Sequence, residues 1–209
     1  MKTPAVTYLA TALLFSLGCT PTNYDIGPPQ AQASNVDPHA SFVPKIVLAE
    51  LFAKDPLRHN YDFVRSDYGA IIQNGTLYNA GSHLDYSSYS ANEFTVAIQG
   101  GNQGLIVDLG SDDEVAASLG VAQTGGGGQG FAGLVLHADG HFGLPAADAV
   151  LDRPKSDVKY EAHAPPKKAH VFLIRIVDSY DAQLDLVVKL FVVSLTDGDR
   201  VAFEWMRLR

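Results

Sequence analysis

The stretch Leu184 to Leu195 constrains this chain more than any other feature, because it is apolar on both of its alternating faces. Written as an extended strand, it puts Leu184, Leu186, Val188, Leu190 and Val192 on one side and Val187, Lys189, Phe191 and Val193 on the other. A strand whose two faces are both apolar, Lys189 excepted, has to be covered on both. It therefore belongs in the middle of a sheet. His170 to Val177 and Arg200 to Leu208 are further β-branched and aromatic runs, joined to it through Asp178-Ser179-Tyr180-Asp181 and Asp197-Gly198. Turn residues between such runs predict a three-stranded antiparallel meander. Val201, Phe203 and Trp205 share a face of its last strand and belong to the core.

The preceding residues add shorter elements. Ile46, Leu48, Leu51 and Phe52 have the spacing of one face of a short helix ending before Pro56. Ala70 to Gln73 and Thr76 to Tyr78 flank Asn74-Gly75, a dipeptide suited to a two-residue hairpin. Glu93 to Ile98 alternates, with Phe94, Val96 and Ile98 on one face, and Leu105 to Leu109 follows as another strand. Ser111 with Glu114 has capping-box spacing, and Gly120 can stop the helix they begin. The run Gly125 to Gly130 reads as a flexible loop, Phe131 to His137 and His141 to Leu144 as a hairpin, and Pro145 to Leu151 as a helix. The expected fold is mainly β: an antiparallel β-sandwich or barrel-like domain with two or three short helices, spanning residues 43–209.

The single cysteine, Cys19, follows Met1-Lys2, an apolar segment from Ala5 to Leu17, and the small residue Gly18. That is the layout of a secretory signal. An apolar run of about 13 residues is too short to span a bilayer, which takes about 20. The box Ser16-Leu17-Gly18-Cys19 resembles the one that ends a bacterial lipoprotein signal, with the aliphatic residue one place later than is usual there. The resemblance covers only this leader. It implies that residues 1–18 are a signal peptide, that Cys19 carries lipid, and that the protein is extracytoplasmic and anchored to a bacterial membrane. Thr20, where Asp would mark inner-membrane retention, favours the outer membrane. The alternative is plain secretion with cleavage after Ala31-Gln32-Ala33. Residues 19–42, rich in Pro, Gln and Asn without an apolar period, read as a flexible tether with a reach of roughly 25 Å.

The chain carries 23 Asp and Glu against 15 Lys and Arg, with no basic run, which argues against nucleic acid. With a single cysteine there can be no intramolecular disulfide. A three-residue turn over Ala138-Asp139-Gly140 would place His137 opposite His141, close enough for a divalent metal, with Asp139, His163 and His170 as further ligands to hand. Tyr78, Tyr86 and Tyr89, beside His83 and Asp85, could stack on and hydrogen-bond a glycan. Gly125 to Gly130 satisfies Gly-x-Gly-x-x-Gly but lacks the strand-before-helix setting of a dinucleotide site. Asp178, Asp181 and Asp185, and Asp112, Asp113 and Glu114, read as turn and first-turn carboxylates rather than calcium ligands. There is no Gly-x-Ser-x-Gly elbow and no His-Glu-x-x-His motif. The expected function is a non-catalytic binding or envelope-structural module that holds a partner protein or glycan. The alternatives are a metal- or small-ligand-binding lipoprotein using the histidine hairpin, and a hydrolase with dispersed catalytic residues.

Overall fold

The computed structural model describes residues 45–72, 78–98, 102–122, 128–152, 162–178 and 184–209. The C-terminal meander forms as expected. It consists of β10 (His170–Asp178), β11 (Asp185–Thr196) and β12 (Arg200–Arg207), each antiparallel to the next. β1 (Val47–Phe52) joins beyond β12 and β8 (Asn102–Ser111) beyond β10, giving a five-stranded sheet in the order β1-β12-β11-β10-β8. β11 is thus the central strand, and each of its faces is covered. Leu186, Val188, Leu190 and Val192 enter one apolar cluster with Phe203 and Trp205, while Val187 enters a second with Leu105, Leu173 and Phe131. Val193 departs from the expectation. The register against β12 shifts between Val192 and Ser194, so Val193 is an extra residue at a bulge and is 39% exposed.

The first cluster is closed by a second, smaller antiparallel sheet. Its strands are β2 (Asn60–Asp62), β3 (Asp67–Tyr68), β6 (Leu84–Tyr86), β7 (Phe94–Val96) and β9 (His163–Ala164), in the order β3-β2-β6-β7-β9. Tyr61, Leu84, Tyr86, Phe94 and Val96 face inward against the large sheet. Phe94 meets Phe172 and Phe203 edge-on, with ring centroids 5.8 and 6.2 Å apart. The second cluster is closed by helices α1 (Asp112–Ser118), α2 (Gln129–Gly133) and α3 (Pro145–Asp152). The molecule is a β-sandwich with a third layer of short helices. α1 starts where the capping box predicts, with Ser111 accepting from Glu114 N–H and Glu114 accepting from Ser111 N–H.

Three elements differ from the sequence expectation. Residues 47–52 form a strand, because Val47, Ala49 and Leu51 alternate inward and pair with Trp205, Phe203 and Val201 on β12. Short apolar runs fit either period, and here the partner strand decides. Residues 129–144 hold α2 and a turn rather than a hairpin. Asp112 is buried at the start of α1, and its carboxylate accepts from Gly128 N–H and Phe131 N–H, both at 2.7 Å, which fixes α2 against α1. A Cβ at Gly130 would lie 2.2 Å from the Asp112 carbonyl, so only glycine permits that approach. Finally, β4 (Ala70–Ile72) pairs with β5 (Tyr78–Ala80) in a register that sets Ile72 opposite Tyr78. A two-residue loop at Asn74-Gly75 would instead set Ile72 opposite Leu77. The loop itself lies outside the described residues.

Candidate functional site

The histidine turn has the backbone expected of it. His137 N–H donates to the His141 carbonyl at 2.8 Å, and Gly140 takes the left-handed conformation with φ +86°. The side chains build no metal centre, however. The Asp139 carboxylate accepts from His141 N–H, and His141 Nδ1 lies 3.7 Å from Asp148. His163 and His170 sit elsewhere, against Thr95 and Asp108. Among the described residues no group of three or more His, Cys, Asp or Glu is placed to hold a metal ion. Asp185 is engaged by Arg175 at 3.0 Å and by Arg209 at 3.1 Å. Cys19, Asp181 and the first half of the glycine run, residues 125–127, lie outside the described residues; its second half, Gly128 to Gly130, leads into α2 rather than the expected strand.

The tyrosine proposal needs correction at Tyr86. That residue points inward from β6, is fully buried, and accepts at its hydroxyl from Gly198 N–H at 3.2 Å. Inward and outward residues alternate along β6, so Asp85 takes the outer face instead. Tyr89 is 53% exposed, and Tyr78 lies on β5. Tyr86, in the core, therefore cannot share an exposed surface with Tyr89.

The outer face of the small sheet instead carries a polar row. Asn60, Asp85, Thr95 and His163 stand opposite one another across β2, β6, β7 and β9. His59 Nδ1 lies 2.5 Å from Asp85, and Ser88 Oγ lies 2.7 Å from the same nitrogen. A serine, a histidine and an aspartate are thus in contact, but not as a catalytic relay. A relay needs carboxylate and hydroxyl on opposite ring nitrogens, so that one orients the base while the other gives up its proton. Here both compete for Nδ1. Asp85 also accepts from Ser88 N–H at 3.0 Å, which makes the cluster a clamp on the turn after β6. One row along, Asp62 accepts from Val64 N–H and from Arg65 Nε, and lies 3.3 Å from His83 Nδ1. Burial alone would raise the Asp62 carboxyl, but contacts with His83 and Arg65 outweigh it and bring it down to about 2.

Two buried cations lie beneath the helices. Lys189, 1% exposed, donates from Nζ to the carbonyls of Phe131 at 2.5 Å and Leu134 at 2.9 Å, and sits 4.6 Å from the centre of the Phe131 ring. Arg175 donates to the Leu151 carbonyl at 2.8 Å. Each therefore meets carbonyls at the C-terminal end of a helix, α2 and α3 respectively, where the helix dipole favours positive charge. Burial pulls the Lys189 ammonium down to about 8.

Among the described residues, an opening lies at one side of the sandwich, where edge strand β1 faces edge strand β3. A cleft of about 350 Å³ separates them, lined by Val47 to Glu50 of β1, by Tyr61, and by Ser66 to Tyr68. Tyr61 and Tyr68 meet edge-on at 6.5 Å, and the Tyr61 hydroxyl accepts from Trp205 Nε1 at 3.3 Å. Leu48, at its rim, and the preceding Ile46 are exposed, at 65% and 47%. Phe52 N–H donates to Arg58 O while Ala53 N–H donates to Asp199 O, on the β12 side. Backbone groups alternate along an antiparallel edge, so Leu48 and Glu50 turn their N–H and C=O away from β12, toward the open side. The helical reading of residues 46–52 hid this edge from the sequence. The alternation of Val47, Ala49 and Leu51 was the signal that could have shown it.

The chain matches no protein-family model, no curated protein and no solved structure.

Proposed function

We propose that this chain is an extracytoplasmic lipoprotein, tethered to a bacterial membrane through Cys19, whose folded domain is a non-catalytic binding module for another protein of the envelope. The observation that carries the binding reading is the open β1–β3 side of the sandwich. It combines a strand edge with outward-facing backbone groups, an exposed apolar side chain at Leu48, and a cleft walled by two tyrosines. Such an edge is a template for another chain unless something covers or blunts it. With Tyr86 in the core, the glycan reading loses one of its three rings. The tether is supported by the residues at Ser16-Leu17-Gly18-Cys19. Metabolic labelling with a radioactive fatty acid, followed by membrane fractionation, tests it. The wild-type chain should carry label and sediment with membranes, and Cys19→Ala should do neither. An unlabelled, freely soluble wild-type chain would contradict the proposal.

A further inference from the structure

We infer that His83 is a proton-operated latch on the turn between β2 and β3, and so on one wall of the β1–β3 cleft. Two side chains hold the amides that open this turn. Phe63 N–H donates to His83 Nδ1 at 3.1 Å, while Val64 N–H and Arg65 N–H donate to Asp62 Oδ1 at 2.8 and 3.1 Å. The same His83 nitrogen lies 3.3 Å from Asp62 Oδ1. An imidazole nitrogen either accepts through its lone pair or donates a proton, never both. Nδ1 therefore serves Phe63 while His83 is neutral with its proton on Nε2, and serves Asp62 once the ring takes up a second proton. Phe63, His83 and Asp62 are all buried, so water is not at hand to replace the partner that is given up.

Protonation leaves Phe63 N–H without an acceptor and sets a new Nδ1–H in competition with Val64 and Arg65 for one carboxylate oxygen. The ion pair gained with Asp62 favours the charged ring, and the turn has to rearrange to satisfy the amide it frees. The Phe63 ring is anchored 4.9 Å from Trp205, so the backbone beyond it takes up the change. That backbone is Ser66, already left-handed at φ +58°, followed by Asp67 and Tyr68, and all three line the cleft. Among the described residues, Asp62 faces the imidazole from β2, and Arg65 lies beyond it with Nε on the same carboxylate. Asp67 stands opposite Asp62 on β3, and Asp85 on β6 is bonded to His59 and to Ser88 N–H. On the side of β7 the neighbour is Ala97, whose N–H donates to the His83 carbonyl. The Asp62 carboxyl, near 2, stays ionised, so the proton goes to the imidazole. Histidine is the side chain whose charge ordinarily changes between about pH 5 and 8. The inference does not depend on what occupies the cleft.

The test is NMR of the full chain in detergent, with isotope-labelled histidine, together with amide exchange at Phe63, from about pH 8 to about pH 5. At the upper end His83 Nδ1 should show the shift of a lone-pair nitrogen, and Phe63 N–H should be protected. As the ring charges, Nδ1 should become a protonated nitrogen. Protection of Phe63, corrected for intrinsic exchange, should fall about tenfold with it, and the amide shifts of Ser66 to Tyr68 should follow the same transition. Val96 N–H, bonded to the Ala162 carbonyl, serves as the reference and should keep its protection. His83→Gln removes the titrating group and should make Phe63 protection independent of pH. A His83 ring that keeps one charge state across the range would overturn the inference. So would Phe63 protection that ignores the transition, an equal loss at Val96, an equal loss in a folded His83→Gln chain, or amides of Ser66 to Tyr68 that do not respond. If the variant does not fold, the wild-type titration decides, because it reads the ring, the amide and the cleft wall separately.

Discussion

Lys189 interrupts the apolar pattern of the central strand, and its environment explains how a buried cation is held without a carboxylate. Its ammonium replaces water with carbonyls that α2 leaves unpaired at its end. Lys189→Met should therefore cost about 2 kcal/mol at neutral pH in chemical denaturation, because the carbonyls of Phe131 and Leu134 lose their donor. The pH dependence has a definite sign. The amine sits near 8 in the folded chain against 10.5 unfolded, so below pH 8 the folded state bears the full cost of a buried charge. That cost is relieved as pH rises from 8 toward 10.5, where the unfolded chain binds more protons. The stability lead of the wild type over Lys189→Met should grow across that window; a lead that shrinks would contradict the assignment. Asp112 and Gly130 make a second residue-scale pair. Asp112→Asn keeps one acceptor of two and should cost about 1–2 kcal/mol. Gly130→Ala forces a methyl onto backbone atoms 2.2 and 2.9 Å away and should cost about 3 kcal/mol, measured by thermal unfolding.

At the scale of elements, β1 and the small sheet carry the testable content. Because backbone groups alternate along β1, neighbouring prolines there should differ in effect. Leu48→Pro should change stability by less than about 1 kcal/mol, whereas Ala49→Pro, whose N–H faces β12, should cost about 2 kcal/mol or more. Similar melting curves for the two variants would show that the edge is assigned the wrong way round. In the small sheet, Asp62 ties β2 to the Val64–Arg65 turn, and its carboxyl lies near 2 in the folded chain against 3.8 ordinarily. A depressed carboxyl contributes stability that is present above pH 3.8 and lost as pH falls through about 2. Asp62→Asn should accordingly flatten the acid limb of the stability profile between those values. The elements legible in the sequence were those with a strong local signal: the meander, the Ser111–Glu114 cap and the Pro145 helix. β1 and α2 were misread because their period is short, and a partner elsewhere in the chain chooses between strand and helix. For β1 that partner is Val201, Phe203 and Trp205; for α2 it is the buried carboxylate of Asp112.

Across the whole molecule, the apolarity of both β11 faces gave the layering in advance, and the structure fills it with a sheet on one side and helices on the other. The candidate site was less legible. A serine- and tyrosine-rich stretch looks polar, yet Tyr86's place in the alternation of β6 sends it into the core, and Asp85, on the other face, is buried too. The open β1–β3 side could not be read at all, since it arises from two edges distant in sequence and has no local motif. On the function proposed above, a lipid-tethered domain holds a partner through this side. The most direct measurement is intact-mass spectrometry of the complex extracted in mild detergent from native membranes, for the wild type, Cys19→Ala and Leu48→Pro. The expected result is a diacylated N-terminal Cys19 with a stoichiometric protein companion, the lipid absent from Cys19→Ala and the companion absent from Leu48→Pro. An unmodified chain beginning at another residue, with nothing bound to it, would contradict it.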